Sequence, residues 1–257
     1  MIEHPGSPRS DADMRLVDLD DARTWTTEIR ETTKSFAEPL RGTTEYTADL
    51  SIDPDREDTF RLSLQGTFVK VYHATRLLDH EAEDIRNEGL TPASQDLVER
   101  RIATASDHGY VDDSVRDGLL SGNLFGAGEY VANREGMVCF FASRSVMDDF
   151  IAGIWSLMTT WGGEIVYFGS KLSDTTRARL KVIGRPAIVV AAVELSESWR
   201  VHYVAPGVAN AFVGKYLGFT SYDFDLHYRG RVPGEQILDI WMPSDPQYDG
   251  FPELPRR

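Results

Sequence analysis

The chain has 257 residues, 41% hydrophobic and 26% charged, enough apolar material for a packed core in one large domain or two small ones. A net charge of −14 and a pI of about 4.8 argue against a broad basic face for DNA or RNA, and a single cysteine excludes an internal disulfide framework and a multi-cysteine zinc site. No run approaches the roughly 20 apolar residues of a membrane span. The opening MIEHPGSPRSDAD lacks the apolar core of a signal peptide, so the expectation is a cytoplasmic chain with no membrane partner.

The first 13 residues are polar and read as a tail, and Asp18 to Ala37 reads as one helix. Glu38 to Leu64 carries strand signals on either side of Asp53-Pro54-Asp55, which suggests a hairpin. Gly66 marks a boundary, giving an N-terminal extension over 1–66 and a main domain over 67–257. In VKVYHATRLLDHEAEDIRNEGLTP, Val69 and Val71 alternate with Lys70 and Tyr72 as in a strand that ends at His73. A polar turn follows, then a helix from Asp79 to Glu88, with Gly89 and Pro92 as stop signals.

Gln95 to Leu120 is charged and helical, and Ser121 to Gly136 (with its GAG) reads as a long loop of the kind that is often functional. Met137 to Ser143 is a buried central strand, with Cys139 as a packing residue. Ser145 caps a helix that runs through Phe150 and Leu157 to Met158. Trp161-Gly162-Gly163-Glu164 ends that helix and leads to a short strand, Ile165 to Phe168. Then come a helix over Lys171 to Leu180, the most hydrophobic strand (Ala187 to Leu195), a helix over Pro206 to Leu217, and strands at Ser221 to Tyr228 and Ile237 to Met242. The segment after Pro243 reads as loose.

Several side chains carry the chemistry on offer. His73 stands at a strand end, where sites are commonly built. Glu164 follows two glycines that let a backbone come close to a ligand, beside Trp161, a ring that can stack. Asp225 and His227 lie two residues apart on one strand face, either an acid–base pair or an edge-strand pair. Arg76, Arg144 and Arg229 are the candidates for a local basic cleft. No cluster has metal-ligand spacing, and no G-x-S-x-G elbow is present.

Tyr72-His73-Ala74-Thr75, followed by a helix and Gly89-Leu90, resembles the first motif of ADP-ribosyltransferase-like folds of the diphtheria-toxin and poly-ADP-ribose-polymerase type, with Ala74 where glycine is usual. Cys139-Phe140-Phe141-Ala142-Ser143 resembles the second motif of that family. Asp225, followed by Val232-Pro233 and Ile237, resembles its closing motif in DNA-targeting members, with Asp225 in place of the usual glutamate. The resemblance covers Val69 to Met242. It implies an α+β fold, two short packed sheets around an NAD cleft with flanking helices.

The resemblance further implies cleavage of the nicotinamide–ribose bond of NAD and transfer of ADP-ribose to a macromolecular acceptor, protein or nucleic acid, as in a bacterial toxin or conflict effector. The catalytic candidates are His73, Asp225 and Glu164, the last being a second carboxylate competing with Asp225. NAD would be held by Tyr72, Thr75, Phe140, Phe141 and Ser143, with Tyr130 as a further candidate ring. Two alternatives stay open: NAD hydrolysis on the same fold, with water as acceptor, and a binding module without turnover that acts through its acidic surface.

Overall fold

The computed structural model describes residues 15–42, 52, 54–127, 134–144, 154–167, 172–197, 201–203, 207–219 and 225–256. The strands are β1 (Leu16–Val17), β2 (Phe68–Leu77), β3 (Gly89–Leu90), β4 (Met137–Phe141), β5 (Arg185–Val193), β6 (Val201–Tyr203), β7 (Asp225–Arg229), β8 (Val232–Pro233) and β9 (Ile237–Trp241). The helices are α1 (Thr27–Ala37), α2 (Pro54–Ser63), α3 (Asp79–Glu88), α4 (Gln95–Asp107), α5 (Asp113–Gly122), α6 (Leu124–Ala127), α7 (Ile154–Thr159), α8 (Glu164–Tyr167), α9 (Asp174–Leu180), α10 (Val208–Leu217) and α11 (Pro246–Asp249). The class is mixed, α+β, with sheets whose pairs are antiparallel except β1 with β2. The main sheet runs β6-β7-β4-β2-β5-β9, with β1 beside the start of β2, and β3 pairs with β8 in a second, two-stranded sheet.

β5 explains why its sequence is so apolar. It is flanked by β2 and β9, and both of its faces are covered. Val189, Ala191 and Val193 face one core, formed with α1, α2 and α10, whereas Ile188 and Val190 face a second, formed with α7 and the C-terminal segment. A third cluster lies among α4, α5, α8 and α9 around the fully buried Trp161.

The 10-residue strand β2 has alternating loyalties: Val69, Val71 and Leu77 join the first core, and Tyr72 and Ala74 the second. It continues past His73 to Leu77, so His73 is mid-strand and Thr75-Arg76 is not a turn. Unbroken pairing with β5, from Val69↔Val193 to Leu77↔Arg185, carries the strand through these polar residues. Its other edge is different. β1 pairs at Phe68 and Val69, and β4 pairs at one position, Tyr72↔Phe141. Beyond that point β2 keeps β5, β4 keeps β7, and the two halves of the sheet part.

Several sequence expectations are corrected. The second half of the expected hairpin is α2, a helix, and Thr44 to Leu50 lies outside the described residues. Acidic residues in the first turn and Arg61 in the last favour the helix. Phe60 and Leu64, one turn apart, are buried in the first core, and the Glu57 carboxylate accepts from the Val208 and Ala209 amides, capping α10. Asp18 to Ala37 is not one helix, because Asp21 caps a short 3₁₀ turn at Ala22–Thr24 and Thr26 then caps α1. Ile165 to Tyr167 is in the helical turn α8 rather than a strand: Gly163 turns with φ of 70°, and its carbonyl accepts from the Val166 and Tyr167 amides. The segment after Pro243 is packed rather than loose. It forms α11, buries Tyr248, Phe251 and Leu254 in the second core, and donates the Tyr248 hydroxyl to the Pro255 carbonyl. The expected cap at Ser145, the helix through Phe150, and Ser221 to Phe224 lie outside the described residues. Among the described residues, no helix is long and apolar enough to cross a membrane.

Candidate functional site

Where β2 and β4 part, a cleft of about 790 Å³ opens, within the usual range of ligand sites. One wall is the β2 side, with His73 and Thr75; opposite it stand Cys139 and Phe141 of β4. α3 and α4 form a further wall, and Gly162, Gly163 and Glu164 close another side. Gly89 makes the tight join between α3 and β3: its φ is 90°, and a Cβ there would sit 1.9 Å from the Val232 carbonyl oxygen. Gly162 has φ of 100°, and a Cβ would come within 2.5 Å of Cβ of Val166.

His73 spans the mouth of the split. Its Nδ1 lies 2.8 Å from the Cys139 carbonyl oxygen, standing where a backbone pair would have continued the sheet. A carbonyl can only accept, so Nδ1 carries the proton. Burial pushes the imidazole below its ordinary range, the Cys139 carbonyl opposes that shift, and the Arg101 charge adds to it. The neutral ring therefore presents Nε2 as a hydrogen-bond acceptor. Phe140 meets the imidazole edge-on, with centroids 6.0 Å apart, and fixes its orientation.

A largely buried polar network forms part of the cleft wall. Glu81 accepts from Arg101 Nε at 2.7 Å, from the Leu78 amide at 2.8 Å and from Trp161 Nε1 at 2.8 Å. Arg101 also donates to the Gly162 carbonyl at 3.1 Å and lies over the Trp161 ring. Burial raises the Glu81 carboxyl, but the Arg101 charge and hydrogen bond, with the Leu78 and Trp161 donors, outweigh it and hold the group below the usual carboxylate range. The network ties α3, α4 and the Gly162-Gly163 turn together, and so fixes the position of Glu164.

Glu164 is half-exposed on the cleft and paired with Arg134, Nε to Oε2 at 2.9 Å. Nη1 of Arg134 lies 3.0 Å from His227 Nε2. An arginine only donates, so His227 accepts at Nε2. β7 lies between β4 and β6, so Asp225 and His227 are not on an edge strand. His227 is buried, and the backbone of Asp225 pairs with that of Phe141. The side chain of Asp225, and all of Tyr130, lie outside the described residues.

Four of the sequence candidates therefore share one cleft: His73, Thr75, Phe141 and Glu164. Three are placed elsewhere. Tyr72 is fully buried against Trp241 in the second core. Phe140 lies behind His73 in the first core. Ser143 is buried and donates to Asp20 at 2.8 Å, in a joint that also takes the Arg144 amide and Lys215 Nζ. The expected basic cleft of Arg76, Arg144 and Arg229 is corrected as well. Arg76 is buried and donates to the Ile183 and Met158 carbonyls, Arg144 lies over the Trp241 and Phe251 rings, and Arg229 is exposed at the end of β7. The arginines that line the cleft are Arg100, Arg101, Arg134 and Arg231. Sequence reasoning missed them, although the Arg100-Arg101 pair within the charged helical stretch Gln95 to Leu120 was a visible signal. Cys139 is half-buried on the cleft wall rather than a packing residue.

Comparison of the chain with protein-family models, curated proteins and solved structures finds no match.

Proposed function

We propose that this cleft binds NAD and that the protein is an ADP-ribosyltransferase-like enzyme that cleaves the nicotinamide–ribose bond and transfers ADP-ribose to a macromolecular acceptor. The observation that carries this reading is the split between β2 and β4, with a tautomer-fixed neutral imidazole, a hydroxyl, an aromatic ring and a carboxylate on one cleft. The donor set suits the ligand. Nε2 of His73 accepts from a ribose hydroxyl, the Thr75 hydroxyl adds a donor and acceptor beside it, and Phe141 offers a planar contact.

The chemistry is heterolysis of the carbon–nitrogen bond, with the electron pair leaving on the nicotinamide nitrogen and positive charge developing on the sugar. Glu164 supplies fixed negative charge against that cation, an effect worth roughly 3 kcal/mol once bound substrate excludes water from the half-exposed carboxylate. Its Arg134 partner holds the carboxylate in place, and His73 keeps the ribose oriented toward it. The acceptor nucleophile then bonds to the sugar carbon and loses its proton to solvent or to a carboxylate. With water as acceptor, the same cleft acts as an NAD glycohydrolase.

Nicotinamide release from NAD, measured with and without cell lysate as an acceptor source, tests the reading. The expected result is release by the native chain that His73→Ala and Glu164→Gln each reduce at least a hundredfold. If Asp225→Asn abolishes release and Glu164→Gln does not, the catalytic carboxylate is reassigned to Asp225. No release with any acceptor, and no heat of NAD binding, overturns the enzyme in favour of a module that acts through its acidic surface.

A further inference from the structure

We infer that the groove between α3 and α4 is a nucleotide-binding subsite, with Arg100 on the phosphate, Asp84 and Thr104 on the sugar hydroxyls, and the rings of His80, His108 and Tyr110 stacking on the base. Helical spacing sets up the arrangement. Residues four apart share a helix face, so α4 and its C-cap present Arg100, Thr104 and His108 as one stripe, and α3 presents His80 and Asp84 as another. His80, Asp84, Arg100 and Thr104 all line the cleft, so the two stripes face the same space.

Charge matching within the cleft singles out two of these residues. Arg101 pairs with Glu81, Arg134 with Glu164 and Arg231 with Glu88. Arg100 and Asp84 make no ion pair or hydrogen bond among the described residues, although both line the same wall. A guanidinium and a carboxylate left open on facing helices are complementary to a ligand with an anionic group at one point and hydroxyl donors at another. A sugar phosphate has that pattern.

The ring cluster supplies the third contact. His80 and His108 have centroids 4.5 Å apart and are tilted by 55°, and His108 and Tyr110 are nearly parallel, 25° apart with centroids at 6.4 Å. His108 is exposed, so a flat heteroaromatic ring can lay a face against this cluster. The platform is held rigidly: the Tyr110 amide donates to the Ala105 carbonyl, its own carbonyl accepts from Arg179, and Gly109 makes the turn between. Nδ1 of His80 is occluded, so this ring meets the groove through its remaining edge and face.

The subsite does not depend on NAD cleavage, because none of these groups reaches the reacting bond in the mechanism above. The test is calorimetric titration of the full chain with AMP, with adenosine and with inorganic phosphate. AMP is expected to bind, and adenosine to bind more weakly for want of the phosphate. His108→Ala weakens both about tenfold, the scale of one lost base stack. Arg100→Gln reduces AMP to the adenosine level and leaves adenosine unchanged. Both residues are exposed, so both variants keep the native melting temperature. AMP binding of equal strength in the native chain and in both variants overturns the assignment, as does the absence of any AMP heat at millimolar concentration. Nicotinamide release, measured on the same samples, reports separately on the NAD reading.

Discussion

The Glu81 network offers the sharpest test of how the cleft is built. Replacing Glu81 with Gln keeps the size and shape of the side chain but removes its charge. The carbonyl of the new amide can still accept from the Leu78 amide and Trp161 Nε1, both of which meet Oε2 in the native chain. The other native oxygen, Oε1, becomes an NH₂ facing Arg101 Nε across what was a 2.7 Å contact. One charge-assisted hydrogen bond, worth about 1.5–3 kcal/mol, is lost and replaced by donor against donor. Arg101 is left largely buried and short of its counter-ion, a situation that costs about 3–5 kcal/mol when a whole partner is removed. Because the amide still satisfies the other two donors, we expect a loss of about 3 kcal/mol, which for a chain of this size lowers the melting temperature by roughly 6–12 °C.

Urea denaturation of Glu81→Gln, Arg101→Met and the double variant measures it. The double variant should lose less than the sum of the single variants, by at least about 1 kcal/mol. Additive losses, or a single-variant loss under about 1 kcal/mol, would refute the claim that this network fixes the wall. The pH profile carries the same information. The Glu81 carboxyl is held below its ordinary 4.5 in the folded state, so its contribution is present above pH 4.5 and is lost as pH falls through the folded value. Glu81→Gln should flatten that part of the acid limb.

His73 gives a second pH signature. Its folded pKa lies below 6.5, so the unfolded chain takes up the proton first and stability declines as pH falls below 6.5. His73→Gln should lessen that decline in urea midpoints measured between pH 7 and 5. Gly162→Ala places a methyl where φ is 100° and Val166 is 2.5 Å away, and should cost about 2–4 kcal/mol in chemical denaturation while leaving a folded core. Tyr248→Phe removes the hydroxyl that bonds Pro255 and should cost about 1 kcal/mol; Tyr248→Ala, which empties a fully buried ring site in the second core, should cost about 3–5 kcal/mol.

Much of the architecture is carried by local pattern. The apolar run at Ala187 to Val193 and the run at Met137 to Phe141 are strands because a central strand needs apolar side chains on both faces. The helix from Asp79 to Glu88, ended by Gly89, lies where its caps put it. The same stretch brought His73 forward as a candidate, and the Gly162-Gly163 turn did so for Glu164. Long-range partners decided the rest. α2 is a helix rather than a strand because Phe60 and Leu64, one turn apart, meet a core built from distant elements, and its Glu57 reaches the α10 amides some 150 positions away, contacts that no local window contains. Thr75 and Arg76 remain in a strand because β5 pairs with every residue of that stretch. The C-terminal segment is ordered by a hydrophobic face on the far side of the sheet. The cleft itself follows from the parting of β2 and β4 after a single pair, which lets His73 meet the Cys139 carbonyl; the packing of α3 on α4 pairs Glu81 with Arg101, and the Gly162-Gly163 turn brings Glu164 to Arg134. Spacing along the chain sets helix faces and strand alternation, because those depend on neighbours within a few residues. Charge pairing and cleft lining depend on which elements pack together, and only the tertiary fold fixes that.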